Sequence, residues 1–160
     1  MKLRIQKLHP DAQLPVFATE GAACFDLVAF TVMGAYTLGC HVDHGHPVEC
    51  GTGLAFEIPP GHAMLIFSRS GHGFKHGMRL ANCVGVIDSD YRGEVKVKLT
   101  QDLMPVMLGS DDFGPFIKPG DRIAQAMILP VPAVELELAD TLTETQRGTG
   151  GFGSTGTASF

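Results

Sequence analysis

Three short segments of this chain carry residue types suited to chemistry on a small anionic ligand. Asp88-Ser89-Asp90-Tyr91-Arg92-Gly93 follows the apolar run Val84-Gly85-Val86-Ile87. A carboxylate at the end of a buried strand can act as general base toward one water, and Tyr91 beside it can wall a pocket. Ser68-Arg69-Ser70-Gly71 follows a second apolar run and opens a candidate helix. Its backbone N–H groups, guanidinium and hydroxyl suit phosphate oxygens. Arg147-Gly148-Thr149-Gly150-Gly151-Phe152-Gly153-Ser154-Thr155-Gly156 sets a cation, a ring and hydroxyls in a run of glycines. Glycine weakens helix and strand interiors alike. The segment therefore reads as a mobile arm that can carry N–H groups, a guanidinium and a flat ring onto polyphosphate and a base face. Each segment also has a plain structural reading: an acidic turn, a helix N-cap with a solvated arginine, and a disordered tail.

The elements that must position these groups are strands. The chain holds 20 glycines and 10 prolines, and few windows show the 3.6-residue apolar period of a helix. Period-two alternation recurs at Leu54, Phe56 and Ile58, at Val95, Val97 and Leu99, and at Val134, Leu136 and Leu138. Continuous apolar runs at 63–67 and 124–129 suit strands buried on both faces. Pro59-Pro60-Gly61 and Lys118-Pro119-Gly120-Asp121 are turn signals. The expected fold is mostly β, a jelly-roll-like barrel or sandwich with one short helix after Gly71. Val84–Ile87 and the strand beginning near Glu94 are expected to form a β-hairpin with the Asp88 segment at its tip.

With 160 residues and 44% hydrophobic content, the chain suits one core. The expected division is a β domain over 1–146 and a C-terminal arm over 147–160. Twelve basic against 17 acidic residues give a charge of −5, which argues against a general nucleic-acid surface. The basic groups are instead local, so a small polyanion held by a few arginines fits better. No apolar run is long enough for a bilayer and no signal segment opens the chain; a cytoplasmic protein without membrane contact is expected. Four scattered cysteines, without a CxxC pair, suit a reducing compartment. Cys24 and Cys83 are expected to fill core or interface space.

Gly21-Ala22-Ala23-Cys24-Phe25-Asp26-Leu27, Arg69-Ser70-Gly71, 85–93, Pro119-Gly120-Asp121-Arg122-Ile123-Ala124-Gln125 and the glycine-rich arm occur in that order. Together they resemble the five motifs of the trimeric dUTPases, from about Leu14 to Gly156. The resemblance implies a β jelly-roll homotrimer whose active sites are shared between subunits. It implies hydrolysis of dUTP to dUMP and pyrophosphate, with water activated by Asp88 attacking the α-phosphorus. Asn82, Val86, Ile87 and the strand near Lys96 would read the uracil, and Tyr91 would exclude a 2′-hydroxyl. Arg69, Ser70, Gly71 and Gln125 would hold phosphates. Arg147 would reach the γ-phosphate, Phe152 would stack on the base, and Gly153, Ser154 and Thr155 would bind further oxygens. Mg²⁺ would ride on the triphosphate, with Asp26 as an outer-sphere contact through water.

Three departures from that family's pattern stand out. Ser68 replaces a usual proline, His72 an apolar residue, and 103–114 looks inserted. The Cys40–Cys50 segment holds histidines and cysteines, but its spacing fits no standard zinc site; a His-rich surface turn is expected. A dCTP deaminase-like enzyme of the same fold is the enzymatic alternative, and a nucleotide-switched regulatory binding protein is the non-enzymatic one.

Overall fold

The computed structural model describes residues 1–43, 45–102, 114–151 and 154. Alternating and apolar segments become short antiparallel strands in two main sheets. The larger has the order β10 (Val84–Ile87), β8 (His62–Phe67), β13 (Arg122–Pro130), β3 (Phe25–Val28) and β2 (Val16–Phe17). The smaller has the order β4 (Thr31–Val32), β6 (Val48–Gly51), β11 (Lys96–Gln101) and β9 (Met78–Leu80). Two pairs flank them: β1 (Arg4–Lys7) with β7 (Leu54–Glu57), and β5 (Cys40–His41) with β12 (Phe116–Ile117). This is the mostly β jelly-roll sandwich expected.

The core lies between the sheets. Phe25, Leu27, Met64, Ile66, Ile123 and Ala126 come from the larger sheet, and Val48, Cys50, Met78, Leu80, Val97 and Leu99 from the smaller. Each large side chain so buried contributes about 1.5–3 kcal/mol. The single helix among the described residues, α1 (Ser70–His76), ends at Gly77 in the left-handed conformation with φ 61°, the usual glycine cap. Gln101 in the core donates from Nε2 to the His76 carbonyl at 2.9 Å, tying the helix end to β11.

Two local expectations are overturned and a third is narrowed. The hairpin is not one: β10 pairs with β8, β11 pairs with β6 and β9, and the two belong to different sheets. The turn signal at 88–93 is compatible with either outcome. In the observed pairing Gly85 lies opposite Ile66, where a Cβ would be tight against the isoleucine. The alternating segment Val134–Leu138 forms no strand, and Val134, Leu136 and Leu138 are 76%, 93% and 98% exposed. Its pattern is that of a strand with one apolar face, but it has no partner among the described residues. Cys83 does not fill core space: it is exposed on the single chain, with φ 64°; Cys24 is half-buried. The fully buried thiol is Cys50.

Candidate active site

Asp26 on β3 lies opposite Gln125 on β13, and Gln125 lies opposite Phe67 on β8. Strand pairing thus brings three separate sequence motifs to one end of the larger sheet. There Asp26, Arg69, Ser70, Gly71, Arg122 and Gln125 line a cleft of about 360 Å³. Arg69 Nε donates to Asp26 Oδ1 at 3.0 Å, and Arg122 Nη1 donates to Asp26 Oδ2 at 3.0 Å. Gln125 Nε2 donates to the Ser68 carbonyl at 2.9 Å, and the Ser68 hydroxyl accepts from the Leu80 N–H at 2.9 Å. The serine that stands where proline was expected thus joins this turn to β9. Two guanidiniums, a hydroxyl and a backbone turn make an anion cradle. Cys24 also lines it. Burial, then the Asp26 charge, pushes that thiol up and keeps it a neutral neighbour.

Because β10 and β11 diverge, a wedge opens between the sheets. Asn82, Gly85, Val86, Ile87, Lys96 and Val97 are among the residues lining this cleft of about 520 Å³. Gly85 supplies no side chain to fill it; a Cβ there would stand 3.2 Å from Ile66 Cβ. Asn82 is set by a tight turn: the Val84 N–H donates to the Asn82 carbonyl at 2.7 Å across Cys83. A left-handed non-glycine residue in such a three-residue turn is uncommon and strained. Lys96 Nζ pairs with Glu49 at 3.3 Å and lies 3.8 Å from Glu94. The Glu49 hydrogen bond first, then both negative charges, push the Lys96 pKa up.

Asp88 lies beyond Ile87, which pairs with Met64. It is exposed and lines a third cleft with His62, Ser89, Asp90, Val131 and Pro132. Tyr91 Oη donates to the Glu94 carbonyl at 3.0 Å. A Cβ at Gly93 would overlap the Tyr91 hydroxyl, so glycine there lets the ring fold back as a fixed wall. Arg92 Nη1 donates to the Ser89 carbonyl at 2.7 Å, closing the loop on itself.

The sequence-derived residues thus gather in more than one place. Asp26, Arg69, Ser70, Gly71 and Gln125 come together, as do Asn82, Val86, Ile87 and Lys96. Asp88 adjoins the second set, because Val86 lines both its cleft and the wedge, and stands apart from the first. From Ala63, beside Asp88, to Phe67, beside Gln125, β8 rises about 13 Å. Arg147 is exposed, and its Nε donates to the Gly150 carbonyl at 2.9 Å. Ser154 donates its N–H to the Gly151 carbonyl. Phe152, Gly153 and Thr155 lie outside the described residues, as do 103–113 of the inserted segment.

Two arginines with evident structural work were not singled out from the sequence. Arg122 holds the second oxygen of Asp26. Arg79 Nη1 donates to the Leu80 and Ala81 carbonyls at 2.9 and 3.4 Å, beside the Asn82 turn. A guanidinium in a Gly-Asp-Arg turn or an alternating strand looks like a solvated charge, so sequence offered little signal. In the Cys40–Cys50 segment, His46 Nδ1 lies 3.1 Å from Asp43 Oδ1 in a local turn. No three His, Cys, Asp or Glu side chains gather as a metal cage among the described residues.

A family model described as dUTPase matches residues 11–156. A deoxyuridine 5'-triphosphate nucleotidohydrolase of Nautilia profundicola is 44% identical over 156 residues, covering 98% of this chain and 99% of the relative. A point mutant of the dUTPase of Staphylococcus bacteriophage 80alpha, with dUpNHpp, matches with a TM-score of 0.78 at 21% identity, covering 98% of this chain and 99% of that one. A point-mutant dUTPase of the S. aureus phage phi11, described with a structural Mg(II) ion, matches with a TM-score of 0.72 at 21% identity, covering 88% and 98%.

Proposed function

This chain belongs to the dUTPase family and hydrolyses dUTP, and we propose that it does so in sites assembled from several copies of the chain, with Asp88 as general base. The observation that carries this reading is the separation of Asp88 from the phosphate cradle along β8. One dUTP must meet the base, the uracil wedge and the cradle together, and a single chain holds Asp88 apart from the cradle. A homotrimer brings the Asp88 end of one copy against the Arg69 end of another. The exposed Val134–Leu138 segment supports this, because an alternating segment without a partner among the described residues suits pairing with a neighbouring chain.

In that arrangement Asp88 accepts a proton from the water that attacks the α-phosphorus. The P–O bond to the leaving pyrophosphate breaks as the new one forms, giving dUMP. Arg69, Ser70, Gly71 and Gln125 bind phosphate oxygens. Asn82, with the backbone of Val86, Ile87 and Lys96, reads the uracil edge, where an amide both donates and accepts. Tyr91, held by Glu94, leaves no room for a ribose 2′-hydroxyl. The 147–160 arm closes over the site: Arg147 meets the γ-phosphate, Phe152 stacks on the base, and Gly153, Ser154 and Thr155 contact oxygens.

No described cluster would hold magnesium by protein side chains alone, so the ion fits as a passenger on the triphosphate, which needs only one or two carboxylates nearby. Bound there it offsets phosphate charge. Asp26 is the carboxylate lining the cradle, and its remaining lone pairs can accept from a metal-bound water. A cytoplasmic location suits this substrate.

The test is product identification with dUTP, UTP and dCTP in Mg²⁺, alongside the mass of the assembly. We expect dUMP and pyrophosphate from dUTP, strong discrimination against UTP and dCTP, and a trimer. Deamination of dCTP would favour the alternative enzyme. A fully active monomer would overturn the shared site.

A further inference from the structure

Resting on that reading of the phosphate cradle, we infer that Arg122 is a positioning residue for phosphate binding, acting on Arg69 through Asp26 and without need of a metal ion. The argument begins in the backbone. Along β13, Arg122 pairs with Val28 but Ala124 pairs with Leu27, so one extra residue is accommodated between them. This is a β-bulge, a device that re-aims side chains. Its effect is visible in burial: Ile123 and Ala124 are adjacent yet both fully buried. Strict alternation would set Arg122 and Gln125 on opposite faces. The bulge sets both on the outer face with Asp26, the cross-strand neighbour of Gln125.

The consequence is a carboxylate held between two guanidiniums. The Asp26 side chain is only 12% exposed, and each oxygen accepts one charged donor at 3.0 Å. The main chain adds a second link. The Arg122 carbonyl accepts from Arg69 Nη1 at 3.4 Å and from His72 Nε2 at 2.9 Å. His72, which departs from the family pattern, thereby fastens the first turn of α1 to the bulge. Arg69 is held at Nε and at Nη1, which fixes the plane of its guanidinium. The rest of its fork of donors stays available to oxygens in the cleft. Without Arg122, Asp26 would be a largely buried carboxylate with one cation. It would draw Arg69 more strongly and turn in the cleft with it, so the fork would lose its set direction.

The experiment measures affinity for dUpNHpp and for deoxyuridine by calorimetry, in EDTA and in Mg²⁺, with kcat and KM for dUTP. The proteins are wild type, Arg122→Ala, Arg122→Lys, Asp26→Asn, Arg69→Ala and the Arg69→Ala/Arg122→Ala double variant, each checked for assembly mass and melting temperature. Arg122→Ala is expected to weaken dUpNHpp about tenfold in both EDTA and Mg²⁺. Deoxyuridine affinity should not change, and KM should rise more than kcat falls. Arg122→Lys, which keeps the charge and the backbone carbonyl, should recover part of the loss and remains a test if Arg122→Ala does not fold. In the Arg69→Ala background, removing Arg122 should cost little more. Unchanged dUpNHpp affinity in a folded Arg122 variant would overturn the inference. So would additive losses in the double variant, or an Asp26→Asn defect that appears only with Mg²⁺. Wild-type protein that does not bind dUpNHpp at all would instead sink the underlying reading of the cradle.

Discussion

Arg79 and Asp102 face each other across the ends of β9 and β11, with Arg79 Nε at 3.0 and 2.8 Å from the two carboxylate oxygens. That hydrogen bond and charge push Arg79 further up from its ordinary value. The same guanidinium reaches the Leu80 and Ala81 carbonyls through Nη1 and lies 3.8 Å from the Cys83 thiol. It therefore braces the strained turn that presents Asn82. Arg79→Ala should raise the dissociation constant for deoxyuridine several-fold. Stability should fall by about 1 kcal/mol or less, because the pair is largely solvent-screened. Calorimetry and thermal melts check both; an unchanged deoxyuridine affinity would count against the brace.

Asp88→Asn keeps the side-chain size but removes the base. Turnover of dUTP should fall by about 10²–10⁴-fold, while dUpNHpp affinity stays near wild type. Near-normal turnover would remove Asp88 from the mechanism.

Two truncations separate the arm from the assembly. Ending the chain after residue 146 should leave a trimer that hydrolyses dUTP poorly, since closure of a lid organises many sites. Ending it after Pro130 should also dissolve the trimer, because it removes the exposed alternation at Val134, Leu136 and Leu138. Light scattering and turnover distinguish these outcomes. A stable trimer from the shorter chain would show that this segment is not the subunit link.

Cys50 makes a pH prediction. Burial first, then the Cys40, Glu49 and Asp121 charges, push its thiol from 9.0 up to about 12. The folded state keeps a proton that the unfolded chain loses above pH 9. Its contribution is thus fully present below pH 9 and is lost as pH rises toward 12. Melting temperature should fall across that range, and Cys50→Ala should flatten the fall. Alkylation should strike exposed Cys83 well before Cys50. Equal labelling rates in the folded protein would contradict the burial of Cys50.

Local features carried much of this protein in plain sight. The short alternating runs read as strands because side chains on a pleated sheet alternate between core and solvent. A short helix was legible after Gly71, starting slightly late against the observed Ser70–His76, and the family from five motifs in order. The cradle residues Asp26, Arg69, Ser70, Gly71 and Gln125 all lie within those motifs. Their meeting depends on pairings between β3, β13 and β8 that are far apart along the chain.

What the amino-acid order alone determined was the β class, the motif residues and the ligand chemistry they suit. Tertiary structure decided the rest, because each remaining choice turned on a distant partner. The Val84–Ile87 run could close on the next strand or on β8, and packing of Gly85 against Ile66 accompanies the second. That choice opens the wedge beside Asn82. Val134–Leu138 has a strand's pattern, but its pairing groups find no partner within the described chain. Arg122 reads as a turn charge until the bulge at Ile123 swings it onto Asp26. Alternation is a property of neighbours in sequence; register, bulges and the faces they expose are set by what lies across the sheet.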